Sequence, residues 1–442
     1  MKNKFKFILL CTVFFLLTGC GDEALPSLSV HTEPIPESIE KTEETSSHFS
    51  KDEEAVSSII DVTEISGEQI TNSDTEVSSS EELNEDLPDE NAELMIHEDL
   101  DIQDVISKMS LEEKVYQMII CTNEGLTKDR CSTSIDSDFY NDYLTHPVGG
   151  IIYFSKNLLD SSQTKEMLTK SQIIAKEISG FPLFTAIDEE GGIVARIGNN
   201  AGFDVTKVGP MADIKSEEEA FSAGNTIGGY LSELGFNLDF APDADVITTD
   251  LNTVIGNRSF GKDPGKVSLY AKAYSDGLHN NNVLSTYKHF PGHGGTVGDT
   301  HEGYSYTDKS LDMMWDEELL PFREAGVNGI DAVMVAHISV PEILGSETPC
   351  SLSYEMITGI LKEKCGYDGL IITDALNMGA VSLYGDEYTA VYAIKAGADI
   401  LLMPMDIEVA ANSVISAVKD GSISEQRIDE SVCKILRVKS QF

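Results

Sequence analysis

The sequence has little positive charge. Its 442 residues include 31 Lys and Arg against 75 Asp and Glu, a formal net charge of −44. A chain this acidic is repelled by a phosphate backbone, so the composition argues against nucleic acid as a partner. Half of the excess lies between Asp22 and Asp99, where 24 acidic residues face only Lys41 and Lys51, a net charge of −22. Aromatic residues are also scarce there, and we predict that residues 20–95 form a disordered, self-repelling tether.

No apolar run is long enough for a comfortable membrane span. The run at residues 7–17 follows three lysines and leads into Leu-Thr-Gly and then Cys20. A basic start, a short apolar stretch and small residues before a cysteine are typical of a bacterial lipoprotein signal peptide. We therefore expect residues 1–19 to be removed, Cys20 to be lipidated, and the protein to be anchored at the extracellular face of the cell membrane. An uncleaved signal anchor is the alternative.

Paired cysteines are missing as well. Beyond Cys20 the chain has five cysteines, and no two of them have the C-x-x-C spacing: Cys121, Cys131, Cys350, Cys365 and Cys433. An odd number without that spacing argues against a disulfide scaffold and against a zinc site. A disulfide between Cys121 and Cys131 is the alternative.

Eight short apolar runs recur along the rest of the chain, separated by amphipathic stretches such as residues 161–179 and 264–280. The runs are residues 118–121, 150–154, 183–188, 236–242, 283–290, 332–338, 370–376 and 399–404. Continuous apolar runs of this length are typical of parallel strands covered on both faces. Eight alternations of strand and helix predict an α/β fold, a (β/α)8 TIM barrel that forms a single catalytic domain over residues 96–442. An open doubly wound sheet is the alternative.

A barrel places its functional groups at the carboxyl ends of the strands. Polar residues stand at that end of five of the predicted strands: Asp188, Asp243, Lys288 with His289, His337 and Asp374. Burying that many polar groups at one rim without a role would be costly, so we expect a functional site there.

The segment from Lys288 to His301 concentrates the chemistry, with three histidines, a lysine and an aspartate among several glycines. Asp299 and His301 are two residues apart, and on an extended segment their side chains point the same way. The carboxylate can then hold and tune the imidazole as a proton shuttle. The surrounding glycines predict a loop that moves after substrate binds.

Three further segments contribute candidates. Asp374 stands at the mouth of an apolar strand, where it can act as a nucleophile or base, or merely cap the next helix. Asp188 precedes two glycines that would let a ligand approach the backbone. Arg196 lies in the same segment as Asp188, and Arg258 lies in the third segment, residues 254–261. Both are cations of the kind that a site holding several acids requires.

Together these four segments resemble the bacterial β-N-acetylglucosaminidases of glycoside hydrolase family 3, from about Asp99 to the end of the chain. The resemblance implies that Asp374 is the catalytic nucleophile, that His301 is the general acid/base, and that Asp299 is its dyad partner. It also implies sugar contacts from five residues: Asp188, Arg196, Arg258, Lys288 and His289. Many family members have Asp directly after Gly-His-Gly, where this chain has Gly295.

The resemblance implies a retaining exo-β-N-acetylglucosaminidase that needs no metal or organic cofactor. The expected substrate is a small carbohydrate: peptidoglycan fragments are the natural choice for an anchored enzyme, and chitin-derived oligosaccharides are the alternative. A phosphorylase is one alternative, because a histidine acid/base does not repel phosphate. Metal-dependent hydrolysis is a weaker one, since no H-E-x-x-H motif is present; its ligands would be His289, His293, Asp299 and His301. A sugar-binding lipoprotein without catalysis is the third.

Overall fold

The computed structural model describes residues 102–128, 132–300 and 303–442. The predictions for the signal peptide, Cys20, the acidic tether, Cys131 and His301 lie outside the described residues. Cys121 is a buried free cysteine. None of the described helices has the length and apolar character needed to cross a bilayer.

Ten strands are present in the described part of the chain. Their bounds are β1 Ile119–Thr122, β2 Gly150–Ile152, β3 Phe184–Ile187, β4 Glu189–Gly191, β5 Val194–Ala195, β6 Leu238–Asp239, β7 Thr286–Phe290, β8 Ala332–Val335, β9 Leu370–Thr373 and β10 Leu401–Leu402. One strand lies within or overlaps each of the eight predicted apolar runs, as continuous burial on both faces requires. The short β4–β5 hairpin was not predicted.

The strands form two parallel sheets and one antiparallel hairpin. The first sheet has the order β10-β1-β2-β3-β6, the second has the order β7-β8-β9, and β4 pairs with β5. Isolated parallel bridges connect the two sheets, from Leu238 to Leu284 on one side and from Ile372 to Ile400 on the other. Each main strand therefore follows its neighbour along the chain, without the reversal of strand order that marks a doubly wound sheet. The predicted α/β class with parallel strands is confirmed.

Helices alternate with these strands. Residues 102–108 form α1. The others are α2 Leu111–Gln117, α3 Asn123–Thr127, α4 Ser137–Thr145, α5 Ser161–Ser179, α6 Glu217–Leu234, α7 Pro264–His279, α8 Leu311–Trp315, α9 Leu320–Ala325, α10 Pro341–Leu344, α11 Gly379–Ser382, α12 Asp386–Ala396, α13 Ile407–Lys419 and α14 Glu425–Lys439, with a π-helix at Glu355–Lys364 and short 3-10 turns that include Ser155–Asn157 and Gly256–Arg258.

Local signals set the helix limits. The Asp160 side chain accepts a hydrogen bond from the Gln163 amide at the start of α5, and Gly180 ends the helix with φ 80°. This is the usual pairing of an acidic N-cap with a left-handed glycine C-cap. Helices α6 and α7 pack so closely that a Cβ at Gly224 would lie 2.0 Å from the Tyr274 carbonyl oxygen.

Candidate active site

Six of the predicted site residues line a single cavity of about 310 Å³ at the carboxyl ends of the strands: Asp188, Arg196, Arg258, Lys288, His289 and Asp374. They come from four separate chain segments, so their proximity is a product of the parallel strand arrangement. Apolar side chains from β2, β8 and the loops after β9 and β10 complete the walls, among them Phe154, Met334 and Met403.

The β4–β5 hairpin positions an acid that faces the cavity. Successive residues of a strand point to opposite faces. The Glu189 side chain points away and accepts hydrogen bonds from the backbone amides of Ile197 and Gly198, at 2.9 and 2.8 Å. Glu190 points into the cavity and is almost completely buried. The Glu189 carboxylate thus fixes the hairpin, and the Glu190 carboxylate faces the cavity.

Lys288 lies between two carboxylates. Its Nζ is 3.0 Å from Asp188 Oδ1 and 2.6 Å from Glu190 Oε1, and the side chain is buried. Burial alone would lower the pKa of Lys288, but the charges of Glu190 and Asp188 outweigh it and raise that pKa. Lys288 therefore stays cationic and can donate hydrogen bonds to a hydroxyl group.

The imidazole of His289 is oriented by Asp245. His289 Nδ1 lies 2.7 Å from Asp245 Oδ2, and the backbone amide of His293 donates to Asp245 Oδ1 at 2.6 Å. Burial opposes protonation of His289, but the Asp245 carboxylate outweighs it and raises the pKa of the imidazole. The pairing register between β7 and β8 shifts between Tyr287 and Phe290, so two adjacent residues, Lys288 and His289, both reach the cavity.

Asp374 follows β9 directly. Its backbone amide donates to the Val335 carbonyl at 2.9 Å, and its Oδ1 accepts from the Ala375 amide at 2.8 Å. Burial would raise the pKa of Asp374, but His337, His289 and the Ala375 amide outweigh it, so the pKa lies below its ordinary value. The cap of α11 is Met378, so Asp374 does not cap that helix. An ionised carboxylate that lines a cavity is a good nucleophile.

His337 holds the backbone that directly follows Asp374. Its Nε2 lies 3.0 Å from the Ala375 carbonyl oxygen, and its Nδ1 lies 2.7 Å from Ser351 Oγ. The first contact requires a proton on Nε2, because a carbonyl can only accept. His337 is not a lining residue of the cavity; it fixes the backbone next to Asp374 and adds positive potential beside the carboxylate.

Asp299 lies in the loop that follows β7, half-buried, and its carbonyl oxygen accepts from the Gly303 amide at 3.0 Å. The neighbouring Thr300 is held by the Ala380 amide of α11, which donates to its carbonyl at 3.1 Å. The loop is therefore attached to the segment that carries Asp374. Because His301 lies outside the described residues, its pairing with Asp299 stays a prediction.

Gly295 stands where many members of the resembling family have Asp, and its surroundings leave no room for a larger side chain. A Cβ at that position would lie 2.4 Å from Thr248 Oγ1 and 2.6 Å from Glu318 Oε1. Glu318 is buried and bonded to Thr248 and to Lys309, at 2.6 and 2.5 Å. A carboxylate from the turn between α8 and α9 thus occupies the space that an aspartate side chain would need.

One group of three among the described residues has the donor spacing of a metal site, namely Asp243, Asp245 and His289, whose donor atoms lie within 4.8 Å of one another. Arg258 Nε is 3.6 Å from Asp243 Oδ2, so a cation already faces these acids. Burial and the neighbouring Asp245 raise the pKa of Asp243 to about 7. A shared proton and the guanidinium can balance the charge of this group without an ion.

Sequence reasoning missed two of the residues that organise the site. Glu190 stands two residues after Asp188, and Asp245 stands two residues after Asp243. In an extended segment, residues two apart point to the same side, so each missed residue lies on the same side as a predicted rim residue. This i, i+2 spacing could have identified Glu190 and Asp245 from the sequence. Their partners, Arg258 and His289, lie 68 and 44 residues away and could not be assigned from the sequence.

Residues 110–438 match the family model of the glycosyl hydrolase family 3 N-terminal domain. The chain therefore belongs to glycosyl hydrolase family 3. It is 32% identical over 324 residues to beta-hexosaminidase A of Pseudoalteromonas piscicida, an alignment that covers 67% of this chain and 54% of that protein. It is 36% identical over 267 residues to beta-hexosaminidase LpqI of Mycobacterium tuberculosis, covering 58% and 68%.

A solved structure is also similar, that of a glycoside hydrolase family 3 beta-N-acetylglucosaminidase from a Paenibacillus species. It has a TM-score of 0.70 and 36% identity, and the match covers 75% of this chain and 62% of that one. The chain thus spans about half the length of the Pseudoalteromonas protein and under two thirds of the Paenibacillus chain.

Proposed function

We propose that this protein is a retaining exo-β-N-acetylglucosaminidase that releases terminal N-acetylglucosamine from small carbohydrates. One observation carries the proposal: the Asp374 carboxylate lines the same cavity as Lys288, Arg258 and Asp188, and its pKa lies below the ordinary value. A cavity with a nucleophile on one side and hydroxyl-binding cations on the other is suited to glycoside cleavage. The names of the similar proteins support the same activity.

In the proposed mechanism, Asp374 attacks the anomeric carbon while His301 donates a proton to the departing oxygen. The glycosidic bond breaks and a glycosyl ester forms on Asp374. His301 then removes a proton from water, which attacks the anomeric carbon and releases the ester. Asp299 holds the imidazole and stabilises its charged form. Lys288 and Arg258 orient the sugar, and no metal or organic cofactor takes part.

We also propose that the two parallel sheets form one closed (β/α)8 barrel in a single catalytic domain. The parallel bridges from Leu238 to Leu284 and from Ile372 to Ile400, together with the pairing of β10 with β1, support a continuous ring. In such a ring every strand ends at the same mouth, where the cavity lies.

The proposed setting is the outer face of a bacterial membrane, with a lipid on Cys20 and the acidic tether between lipid and enzyme. Peptidoglycan fragments are the substrates that such a position offers. Changing Cys20 to Ala should move the protein from the membrane fraction to the soluble fraction. Unchanged membrane association would remove the anchor from the proposal.

The direct test is to trap the ester. A 5-fluoro analogue of an N-acetylglucosaminyl fluoride should form the ester quickly and hydrolyse it slowly, adding the mass of one sugar to the peptide that contains Asp374. Labelling of another residue would reject the nucleophile. Turnover of an aryl N-acetylglucosaminide with and without phosphate completes the test, because release of a sugar phosphate would assign a phosphorylase.

A further inference from the structure

Glu318 adjoins both ends of the loop that follows β7, although it does not line the active-site cavity. It lies in the turn between α8 and α9 and is 1% exposed. At the first end of the loop, a Cβ on Gly292 would lie 2.5 Å from Glu318 Cβ, and a Cβ on Gly295 would lie 2.6 Å from Glu318 Oε1. At the second end, Lys309 Nζ donates to the same Oε1 at 2.5 Å. One buried side chain therefore joins the start of this loop to its end.

Between these two ends the chain forms a hairpin that carries Asp299. Val297 and Tyr306 exchange two backbone hydrogen bonds, at 2.9 and 3.1 Å, and the Asp299 carbonyl accepts from the Gly303 amide. On the return limb, Tyr306 also forms a parallel bridge with Ser339, which follows β8. Because the hairpin is bonded within itself, the position of Asp299 depends on how the two limbs are fixed at their base.

The Glu318 carboxylate also connects this hairpin to the segment that orients His289. Thr248 Oγ1 donates to Glu318 Oε1 at 2.6 Å, and the Thr248 amide donates to the Gly294 carbonyl at 3.3 Å. Thr248 stands shortly after Asp245, whose carboxylate holds the His289 imidazole. Glu318 thus lies at the junction between the hairpin and the segment that organises the sugar-binding side of the proposed site.

The hydrogen bonding of Glu318 points to a role for its charge. Its Oε1 accepts from both Thr248 and Lys309, whereas its Oε2 is buried with no hydrogen-bond partner among the described residues. A buried carboxylate oxygen without a partner lowers the stability of the folded protein. An apolar side chain of similar size would fill the same space without that loss, so packing alone does not account for a carboxylate at this position.

We propose that Glu318 is a positioning residue for the acid/base step of the proposed function. Its carboxylate fixes both limbs of the hairpin to the segment that contains Thr248, and it thereby sets where Asp299 stands relative to Asp374. The inference rests on the proposed function and adds to it a residue that does not line the cavity. A displacement of about 1 Å in a catalytic group can reduce the rate about 10²-fold, so loss of this anchor should be visible in turnover.

The test compares two substrates that differ in their need for a proton. A disaccharide requires protonation of its leaving oxygen, whereas a dinitrophenyl N-acetylglucosaminide releases a stable phenolate and needs little protonation. The Glu318→Gln variant keeps the shape of the side chain and removes its charge. In this variant we expect the kcat/KM ratio of the dinitrophenyl substrate to the disaccharide to rise about tenfold. A purely structural defect would lower the amount of folded enzyme, which scales both rates equally and leaves the ratio unchanged.

Glu317→Gln is the matched control, because Glu317 is exposed and pairs with the same lysine, Lys309, at 2.7 Å. This control should keep the wild-type ratio. Lys309→Met removes the partner of Glu318 at the second end of the loop and should change the ratio in the same direction as Glu318→Gln. Since the two substitutions break one contact, the double variant should raise the ratio no further than the larger single change does.

Hydrogen exchange provides a readout that needs no substrate. The backbone amides of Val297 and Tyr306 should exchange about tenfold faster in Glu318→Gln than in wild-type protein, because a hairpin with a loosened base opens more often. The same amides should exchange at the wild-type rate in Glu317→Gln.

The outcomes distinguish the positioning role from the proposed function. If wild-type protein cleaves both substrates and Glu318→Gln keeps the wild-type ratio, the positioning role is overturned and the proposed activity stands. Equal exchange rates in Glu318→Gln and Glu317→Gln would overturn the positioning role in the same way. No turnover of either substrate by wild-type protein would reject the proposed function, and the positioning role with it.

Discussion

Arg258 and Glu190 form a two-point ion pair in the wall of the active-site cavity. Arg258 Nε is 2.8 Å from Glu190 Oε2, and Arg258 Nη2 is 2.8 Å from Glu190 Oε1. Lys288 Nζ reaches the same Oε1 at 2.6 Å. Burial would raise the pKa of Glu190, but these two cations outweigh it and hold the pKa well below its ordinary value. One buried carboxylate thus positions both cations that the proposed mechanism uses on the sugar.

The Glu190→Gln variant should therefore lose both stability and activity. Removing one partner of a buried ion pair typically costs about 3–5 kcal/mol, because the remaining charges are left uncompensated. Urea unfolding measures the first effect and kcat/KM the second. The control is Glu166→Gln, which removes an exposed pair with Lys170 and should change stability by about 0.5 kcal/mol or less. Equal stability of the two variants would contradict the role given to Glu190.

Asp374→Ala should abolish turnover while the protein stays folded. Loss of a nucleophile commonly reduces kcat by about 10⁴-fold or more. Asp374 accepts one local backbone hydrogen bond, so thermal unfolding should change little. Asp368→Ala is the control, since Asp368 is exposed just before the same strand. Near-wild-type activity of Asp374→Ala would remove the nucleophile assignment.

The His301→Ala variant should discriminate between leaving groups. A disaccharide needs protonation of its leaving oxygen and should lose about 10²–10⁴-fold in rate. A dinitrophenyl glycoside departs as a stable phenolate, so its first step should be nearly unaffected. Asp299→Ala should show a smaller form of the same pattern. Equal losses on the two substrates would mean that His301 binds the sugar and does not transfer the proton.

Lys439 should make stability depend on pH. It is 1% exposed, its Nζ donates to Gln117 Oε1 at 2.8 Å, and burial lowers its pKa to about 7 from 10.5. Between those two pH values the unfolded chain binds the proton and the folded chain does not, so stability from this group rises with pH across that window. Lys439→Met should therefore be more stable than wild type at pH 7 and below, and this gain should shrink towards pH 10.

Urea unfolding at a series of pH values measures that difference. Lys419→Met, at an exposed lysine near the end of α13, should give a pH-independent difference from wild type. A Lys439→Met gain of the same size at pH 6 and pH 10 would show that packing, and not the buried amine, is responsible.

The acidic tether should be dispensable for chemistry. A chain that begins near Asp99 should be soluble and as active on small substrates as the chain that begins at Cys20, because the segment from Asp22 to Asp99 has a net charge of −22. Comparison of kcat/KM on an aryl glycoside measures this. A collapsed or inactive truncation would indicate that the segment packs on the domain.

The fold could be predicted from the sequence where the signal was local. Continuous apolar runs identified the positions of eight strands, since a buried parallel strand needs apolar residues on both faces. The run at residues 236–242 contains only a short strand, β6 at Leu238–Asp239, although the Phe240 amide beyond it still donates to the Ile187 carbonyl at 2.8 Å. The β4–β5 hairpin was not predicted, because Glu189 and Glu190 are charged and the strands were located by their apolar residues.

The sequence by itself determined the parallel α/β arrangement and the placement of acids and cations at the strand ends, because both depend on periodicity over a few residues. It also determined the i, i+2 spacing of Asp299 and His301. Only the tertiary structure decided the pairing of Glu190 with Arg258 and Lys288 and the burial of Lys439. Those features depend on contacts between residues many positions apart, and the chain brings such residues together only when it packs its core.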